Sequence, residues 1–316
     1  MISNLKSSED VKSIIDEVLS HIGYIVVGQE EVIKQTIISI LCGANALLEG
    51  YPGLAKTLTV NSLSKLMDLK FSRIQGTPDL MPSDIIGTHI LEEKNGKREF
   101  SFQQGPLFSN IVLMDEINRA TPKTQSALLE AMQEKQVTVG TQVFKMDKPF
   151  FVLATQNPVE QEGTYPLPEA QCDRFLFKIR SQYPKFDEEV EIVNRFTEEE
   201  REIDSLKPVL GKENIINLQK MVRQVPVAND IKHYAVDLVN KTRNHKELIE
   251  FGASPRASLG LLMASKAKAL IEGRNYVNKE DINEMALPVL RHRIILNFEA
   301  ERNNFDADAV IKYLLK

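Results

Sequence analysis

Cysteine, histidine and excess positive charge are all scarce in this chain of 316 residues. Its two cysteines, Cys42 and Cys172, lie in different segments among small or apolar neighbours, which gives no support to a disulfide framework. The five histidines show no metal-ligand spacing, so a zinc site is not expected. A formal net charge of −5 lacks the basic excess that usually marks a domain for duplex DNA, which makes nucleic acid a disfavoured partner.

Long apolar runs are missing as well. No stretch approaches the roughly 18 residues that a membrane-spanning helix needs, and the N-terminal sequence has no basic region followed by an apolar core. We therefore expect no membrane segment and a cytoplasmic location. The chain does have 42% hydrophobic residues, over a length that suits two domains with full cores.

Short apolar runs alternate with helical patterns up to about residue 183, which is typical of a parallel sheet with crossover helices. Between the second and third runs, the pair Asn95-Gly96 is flanked by alternating residues and predicts a hairpin insert over about residues 88–102. The predicted strands are 44–50, 71–75, 109–115, 150–157 and 175–182.

Strand signals fade from about residue 186, and helical spacing takes over. Ser254 and Gly273 have the residue types that begin and end a helix, and Asn278 precedes Asp281 by three residues in a capping arrangement. The sequence thus predicts an α/β core with helices on both faces of the sheet, followed by a smaller all-α domain. The expected ranges are 1–184 for the core and 185–316 for the helical domain.

A glycine-containing turn follows the first predicted strand and precedes a helical pattern. In this position backbone N–H groups can converge on a phosphate, with the positive end of the helix dipole behind them. Lys56 would reach the β- and γ-phosphates and Thr57 would bind Mg²⁺, as in the pattern G-x-x-x-x-G-K-[ST]. Ala55 replaces the second glycine, which we interpret as tolerable because a residue entering a helix can take helical dihedrals. The alternative is a Gly-Pro turn with a surface lysine. The predicted ATP contacts here are Gly50, Pro52, Gly53, Leu54, Ala55, Lys56, Thr57 and Leu58.

Polar residues end two further predicted strands, at the edge where open α/β sheets bind ligands. Asp115 would join the Mg²⁺ shell and Glu116 would orient the attacking water. The amide of Asn157 can hold a water near the γ-phosphate. Charged turn residues and an Asn-Pro turn are the ordinary alternatives. A phosphate motif and a metal motif at two strand ends are less expected together by chance than either alone, and they predict ATP and Mg²⁺ as cofactors.

In order and spacing, these motifs resemble those of MoxR-family AAA+ ATPases over nearly the whole chain. The matching stretches are VVGQEEVI (26–33), EGYPGLAKT (49–57), GTPDLMPSDIIG (76–87), GPLFSNIVLMDEINRA (105–120), ATQNPVEQEGTYPLPEAQCDRFLF (154–177) and SPRA (254–257).

The resemblance implies roles that spacing alone does not. Asn157 would be sensor 1, Arg174 the arginine finger and Arg256 sensor 2. A neighbouring subunit usually supplies the finger in this superfamily, so the resemblance implies a homo-oligomeric ring, which we expect to be a hexamer. The insert resembles that of the helix-2-insert clade, in which the helical lid is displaced, so Arg256 could serve its own nucleotide or a neighbour's. The implied adenine pocket consists of Val26, Val27, Gly28 and Gln29.

Several arginines could have roles other than the catalytic ones that the resemblance implies. Arg174 could form a salt bridge with Asp173 or Glu169, and Arg256 could be a solvated residue in the first turn of its helix. Arg119 could reach a subunit interface. The run LPVLRHRI (287–294) is expected to be the solvated face of a helix.

An ATPase core does not reveal what the energy is used for. The resemblance favours a chaperone that remodels or matures enzyme complexes, often by inserting a metal or cofactor, with a separate von Willebrand factor A domain protein as partner. The second hypothesis is a nucleic-acid motor or loader, although the charges of the insert are balanced and duplex binding needs a cationic surface. The third is the ATPase subunit of a metal chelatase acting on a tetrapyrrole.

Overall fold

The computed structural model describes residues 7–94, 97–158, 163–198 and 203–316. The strands are β1 (Ala46–Glu49), β2 (Phe71–Gln75), β3 (Gly87–Lys94), β4 (Lys97–Gln104), β5 (Ile111–Asp115), β6 (Gln136–Val139), β7 (Gln142–Lys145), β8 (Phe151–Gln156), β9 (Phe177–Arg180), β10 (Ile249–Phe251) and β11 (Ile295–Leu296). The helices are α1 (Ser8–Ile25), α2 (Glu30–Cys42), α3 (Lys56–Leu66), α4 (Pro82–Ile86), α5 (Pro122–Glu134), α6 (Glu169–Cys172), α7 (Phe186–Glu198), α8 (Lys212–Gln224), α9 (Asn229–Asn244), α10 (Pro255–Ile271), α11 (Lys279–Leu290), α12 (Phe298–Arg302) and α13 (Ala307–Leu314). Across these ranges no helix has both the length and the apolarity to cross a bilayer.

The strands predicted from the sequence form one parallel sheet in the order β2-β5-β8-β1-β9. In the central strands β5, β8 and β1, alternate residues enter two separate apolar clusters. In β5, Ile111 and Leu113 pack on the side of α1, α2 and α3, whereas Val112 and Met114 pack on the side of α4 and α5. Burial on both faces explains why these strands have continuous apolar sequences. The predicted α/β core is confirmed.

The carboxyl ends of the parallel strands lie along one edge of the sheet. Glu49 at the end of β1 pairs in register with Gln156 of β8, and Gln75 of β2 pairs with Asp115 of β5. Segments that are far apart in the chain therefore meet where these strands end, which is the position that open α/β sheets use for ligands.

Two hairpins extend from the core. β3 and β4 pair along their whole length, as predicted, while the expected Asn95-Gly96 turn lies outside the described residues. The second hairpin, β6–β7, was not predicted, although apolar and polar residues alternate in the four residues before Gly140, which has a left-handed φ of 62°. Phe144 of β7 stacks on Phe102 of β4 with the ring centroids 4.2 Å apart, so the two hairpins pack together.

The C-terminal part is a helical lid with one short addition. The Ser254 side chain accepts a hydrogen bond from the N–H of Arg256 and begins α10, and a capping box of Asn278 and Asp281 begins α11, as predicted. The strands β10 and β11 form an unpredicted antiparallel pair. Buried side chains of the lid and of α1 and α2 belong to one continuous cluster, so the division at residues 184 and 185 stays a proposal.

The prediction for residues 287–294 is wrong at its C-terminal end. Helix α11 stops at Leu290, and the side chains of Arg291 and Arg293 are only 8% and 3% exposed. Arg291 pairs with Asp308 at 2.9 Å, and a ring nitrogen of His292 lies 3.1 Å from the carbonyl oxygen of Phe175. Such burial is tolerated because each guanidinium has a carboxylate and at least one backbone carbonyl as partners, most of them from distant parts of the sequence.

Candidate active site

The turn between β1 and α3 has the shape of an anion-binding loop. Gly53 and Ala55 both have left-handed backbones, with φ of 83° and 54°. Alternation of such residues turns backbone N–H groups toward one concave side. No side chain caps α3, so the N–H groups of its first turn remain available to an anion.

The sequence interpretation of Ala55 is wrong. It assumed helical dihedrals, whereas the structure has φ 54° and ψ 22°. The usual pattern has glycine here because the backbone is left-handed, a conformation that disfavours an L-residue by about 1–2 kcal/mol. The loop therefore holds a strained residue where it turns into α3.

A cleft of about 500 Å³ opens over this loop. The structure brings the phosphate loop, the acidic pair and Asn157 together around it, and adds two residues from β2. The lining consists of Pro52, Gly53, Leu54, Ala55, Lys56, Thr57, Leu58, Arg73, Gln75, Asp115, Glu116 and Asn157.

Lys56 folds back over the loop. Its ammonium donates a hydrogen bond of 2.6 Å to the carbonyl oxygen of Gly50. Burial lowers the pKa of Lys56, an effect that the nearby carboxylates of Asp115 and Glu116 oppose. The ammonium is thus held at the wall of the cleft, where a phosphate can compete with the carbonyl for it.

Asp115 is held from two neighbouring strands. Its Oδ1 accepts a hydrogen bond of 2.7 Å from the hydroxyl of Thr155, and its Oδ2 lies 2.7 Å from the guanidinium of Arg73. The Thr155 hydroxyl also accepts a hydrogen bond of 2.9 Å from the N–H of Glu116. Thr155 therefore sets the position of both acidic residues.

The backbone and the carboxylate of Glu116 are both constrained. Its φ of 54° is left-handed, and a side chain on Gly76 would place a Cβ only 2.2 Å from the Glu116 carbonyl oxygen. The carboxylate accepts hydrogen bonds from Gln75 at 3.1 Å and from Arg119 at 2.8 Å. Arg119, which the sequence left as a candidate for a subunit interface, contacts its own cleft.

Sequence reasoning missed Arg73, Gln75 and Thr155. The first two end β2, and they enter the site because β2 lies beside β5 in the sheet. Strand ends are the expected place for such residues, but strand order is not visible in the sequence. Thr155 stands two residues before Asn157 in a stretch that was already singled out, so its position was a usable signal.

The residues assigned to the adenine pocket lie beside the loop. Val26, Val27 and Gly28 line a separate cavity of about 480 Å³ between α1 and α7. Gln29 is buried and accepts a hydrogen bond of 3.0 Å from Ser181. A Cβ on Gly50 would lie 2.8 Å from the Cβ of Ser181, so this serine connects the two segments.

Arg174 and Arg256 do not line the nucleotide cleft. They share a different cavity, of about 260 Å³, between the core and the lid. Among its described lining residues are four arginines and one acidic residue: Arg174, Arg223, Arg256, Arg293 and Asp173. We call it the cationic cavity. Its charge suits an anion.

The two arginines differ in their partners. Arg174 is exposed and, within the described part of the chain, makes neither of the salt bridges considered from the sequence. Arg256 lies in the first turn of α10 and is 53% exposed, with a guanidinium nitrogen 3.5 Å from Asp173. Both side chains are therefore accessible to a molecule that enters the cavity.

Comparisons with known proteins agree with this architecture. Residues 45–177 match the family model for ATPases associated with various cellular activities (AAA), and residues 241–313 match the model of the AAA lid domain. The chain is 45% identical to the protein YeaC of Bacillus subtilis over 307 residues, 97% of this chain and 95% of YeaC. It is 42% identical to chaperone MoxR1 of Mycobacterium tuberculosis over 310 residues, 96% of this chain and 81% of MoxR1. A crystal structure of a protein from Cytophaga hutchinsonii, assigned there as an ATPase, superposes with a TM-score of 0.90 at 45% identity, covering 98% of this chain and 95% of that one.

The parallel sheet, the phosphate loop, the acidic pair and the helical lid define an AAA+ ATPase, an enzyme that hydrolyses ATP to ADP and phosphate. Among these enzymes, the chain belongs to the MoxR family.

Proposed function

We propose that this ATPase works as a hexameric ring in which each ATP is hydrolysed between two copies. The observation that supports this is the separation of Arg174 and Arg256 from the nucleotide cleft. Head-to-tail packing of copies, which closes into a ring, can bring the cationic cavity of one copy to the cleft of the next. Arg174 would then stabilise charge on the transferring phosphoryl group, and Arg256 would act on the same neighbouring nucleotide.

Within each cleft the residues have distinct proposed roles. The loop from Gly50 to Leu58 binds the phosphates, with Lys56 on the β- and γ-phosphates. Thr57 and Asp115 offer the oxygen ligands that Mg²⁺ prefers, and the ion when bound supplies neutralisation of phosphate charge. Glu116 orients the attacking water and Asn157 positions it. The proposed adenine pocket is formed by Val26, Val27, Gly28 and Gln29.

Mixed rings test the shared site. Arg174→Ala and Lys56→Ala subunits should each be inactive alone, whereas a mixture contains some interfaces with both parts intact. We expect ATPase activity to return on mixing. As a control, Lys56→Ala mixed with Glu116→Gln should recover nothing, since both changes lie in the same cleft. An inactive first mixture from subunits that do form mixed rings would contradict the proposal.

For the cellular role we propose a chaperone that matures enzyme complexes, including insertion of a metal or cofactor, together with a von Willebrand factor A domain protein. The name of the relative chaperone MoxR1 supports the chaperone part. The β3–β4 hairpin adds support, because Leu91 and Phe100 face each other across the strands and are 54% and 76% exposed. An exposed apolar pair suits contact with protein better than contact with a phosphate backbone. Location in the cytoplasm stays a prediction.

A variant that holds ATP without hydrolysing it can identify the protein on which the chaperone acts. Glu116→Gln should bind ATP without hydrolysing it, because the orientation of water is lost while the phosphate contacts remain. We would capture this variant from its native cell in saturating ATP, with Lys56→Ala as the control that does not hold nucleotide. Retention of a von Willebrand factor A protein or a cofactor-bearing enzyme supports the proposal. Salt-sensitive retention of DNA or RNA would favour the loader hypothesis, and a tetrapyrrole enzyme would favour the chelatase hypothesis.

A further inference from the structure

A largely buried ion pair lies in the wall of the cationic cavity. The Nε of Arg293 is 2.8 Å from Oδ1 of Asp173, and the two side chains are 3% and 17% exposed. The other guanidinium N–H groups donate to backbone carbonyls of Asp173 at 3.2 Å, Phe175 at 2.5 Å, Leu176 at 3.0 Å and Val289. All five donors of Arg293 are thereby used, which is uncommon for a solvated arginine and typical of one that holds a structure in place.

These contacts surround the backbone of Arg174. Three of the four carbonyl acceptors belong to residues 173–176, immediately before and after Arg174. Arg293 therefore fixes the segment that carries Arg174 to the turn after α11, while the Arg174 side chain itself stays exposed.

The second oxygen of Asp173 faces the other arginine. Oδ2 accepts a hydrogen bond of 2.9 Å from the hydroxyl of Ser254 and lies 3.5 Å from Arg256. Ser254 is the N-cap of α10, the helix on which Arg256 lies. A single carboxylate thus joins the segment of Arg174 to the helix of Arg256.

We infer that Asp173, held by Arg293, is a positioning residue that sets Arg174 and Arg256 at a fixed separation, so that both reach the phosphates of a neighbouring copy together. The inference rests on the proposed shared site. The physical reason is that an exposed arginine side chain has many rotamers, so the backbone that carries it must be well placed. A misplacement of about 1 Å in a catalytic group can lower the rate about 100-fold.

The primary test is Asp173→Asn, which keeps the side-chain shape but removes the charge and leaves one acceptor oxygen for the two donors, Ser254 and Arg293. We expect kcat to fall about 10- to 100-fold, with the KM for ATP changed less than about two-fold because the cleft of the same subunit is intact. Arg293→Lys should show the same split. The matched control is Arg291→Lys, since Arg291 is 8% exposed in the same turn but pairs with Asp308 and does not contact Asp173. Its kcat should stay near the wild-type value.

Two readouts separate positioning from general destabilisation. Adding Asp173→Asn to the double variant Arg174→Ala/Arg256→Ala should slow it no further, because Asp173 acts through those two arginines. Asp173→Asn mixed with Lys56→Ala should regain activity, since the missing charge belongs to the neighbour's site.

The inference is overturned by a wild-type kcat for Asp173→Asn, by a further loss when Asp173→Asn is added to Arg174→Ala/Arg256→Ala, or by no recovery on mixing while the Arg174→Ala mixture recovers. Failure of the shared site gives a different result: the mixture of Arg174→Ala with Lys56→Ala would then stay inactive, or Arg174→Ala alone would keep the wild-type rate.

Discussion

The nucleotide cleft and the cationic cavity are built in different ways. The cleft uses the phosphate loop and the ends of neighbouring parallel strands, so its residues occur in short contiguous motifs. The cationic cavity uses side chains from the segment before β9, from α8, from α10 and from the turn after α11. The first site depends on backbone geometry, whereas the second depends on one buried ion pair, Asp173 with Arg293.

The two sites also differ in charge balance. In the cleft, Arg73 pairs with Asp115 and Arg119 pairs with Glu116. Each pair uses one acceptor site of a carboxylate that a metal ion or a water would otherwise have to itself. In the cationic cavity arginines outnumber the single aspartate, so the site has a surplus of donors for an anion. The charges of the cleft are therefore largely paired, whereas those of the cavity are not.

The largest effect is expected from Arg174→Ala. Loss of an arginine finger should lower kcat about 1,000-fold or more, while ATP affinity stays unchanged because the residue does not line its own cleft. Steady-state hydrolysis and binding of a fluorescent ATP analogue measure the two quantities separately. A parallel loss of affinity would mean that Arg174 serves its own nucleotide, and the distinction between the two sites would fail.

Lys56→Ala should lower both kcat and ATP affinity. We expect kcat to fall at least about 100-fold, as for removal of a direct transition-state contact, and ATP affinity to fall with it. The same two assays apply. Lys65→Ala is the control, since Lys65 lies on the same helix and pairs with Asp204 away from the cleft. Unchanged affinity for Lys56→Ala would remove the lysine from the phosphate loop's function.

Arg73→Gln tests the charge pairing within the cleft. The pair with Asp115 is 48% and 14% exposed, so its removal should free the carboxylate by about 1 kcal/mol, or about five-fold. We expect the Mg²⁺ concentration at half-maximal hydrolysis to fall by that factor, and Arg73→Lys to keep the wild-type midpoint. A higher midpoint for Arg73→Gln would show that Arg73 assists the bound state instead.

Lys135 shows what burial costs a cation that, unlike Arg293, has no carboxylate partner among the described residues. It ends α5, which also lines the cationic cavity, and no carboxylate pairs with it among the described residues. Burial lowers the pKa of Lys135 to about 8. Lys135→Met should therefore raise the free energy of unfolding at pH 7 by about 1–2 kcal/mol, less than the full shift implies because solvent reaches part of the side chain.

The pH dependence of that gain has a definite sign. Below pH 8 the lysine is charged in both the folded and the unfolded protein, so the penalty of burial is complete. Between pH 8 and the unfolded value of about 10.4 the folded protein loses the proton first, and the wild type gains stability as pH rises. Denaturant unfolding of both proteins should show the difference vanishing near pH 10.5. A difference that does not depend on pH would assign the effect to packing.

The smallest effect is expected from Ala55→Gly. Glycine relieves the left-handed strain, yet it also increases the entropy of the unfolded chain, so the net change in unfolding free energy should lie within about 1 kcal/mol. Thermal unfolding checks this. The ATPase rate should stay close to wild type, because the backbone conformation that forms the loop is the one that glycine accepts. A large loss of activity would show that the alanine side chain itself contacts nucleotide.

Much of the fold was predictable because its signals are local. The strands of the sheet, the first hairpin and the caps at Ser254 and Asn278 each depend on residues close in sequence. The second hairpin was missed although Gly140 and the alternation just before it were visible. Arg293 was misjudged for a stronger reason: its partner Asp173 is 120 residues away, and without that partner an arginine beside another arginine looks solvated.

The sequence by itself determined which side chains are available for phosphate, metal and water, because a loop motif and two strand ends carry them in fixed local order. Only the tertiary structure decided that β2 lies beside β5 and brings Arg73 to Asp115. It also separated Arg174 and Arg256 from the cleft and joined them through Asp173. The physical reason is that strand order and buried ion pairs depend on contacts between remote segments, whereas a turn and its first helical residues depend mainly on their neighbours.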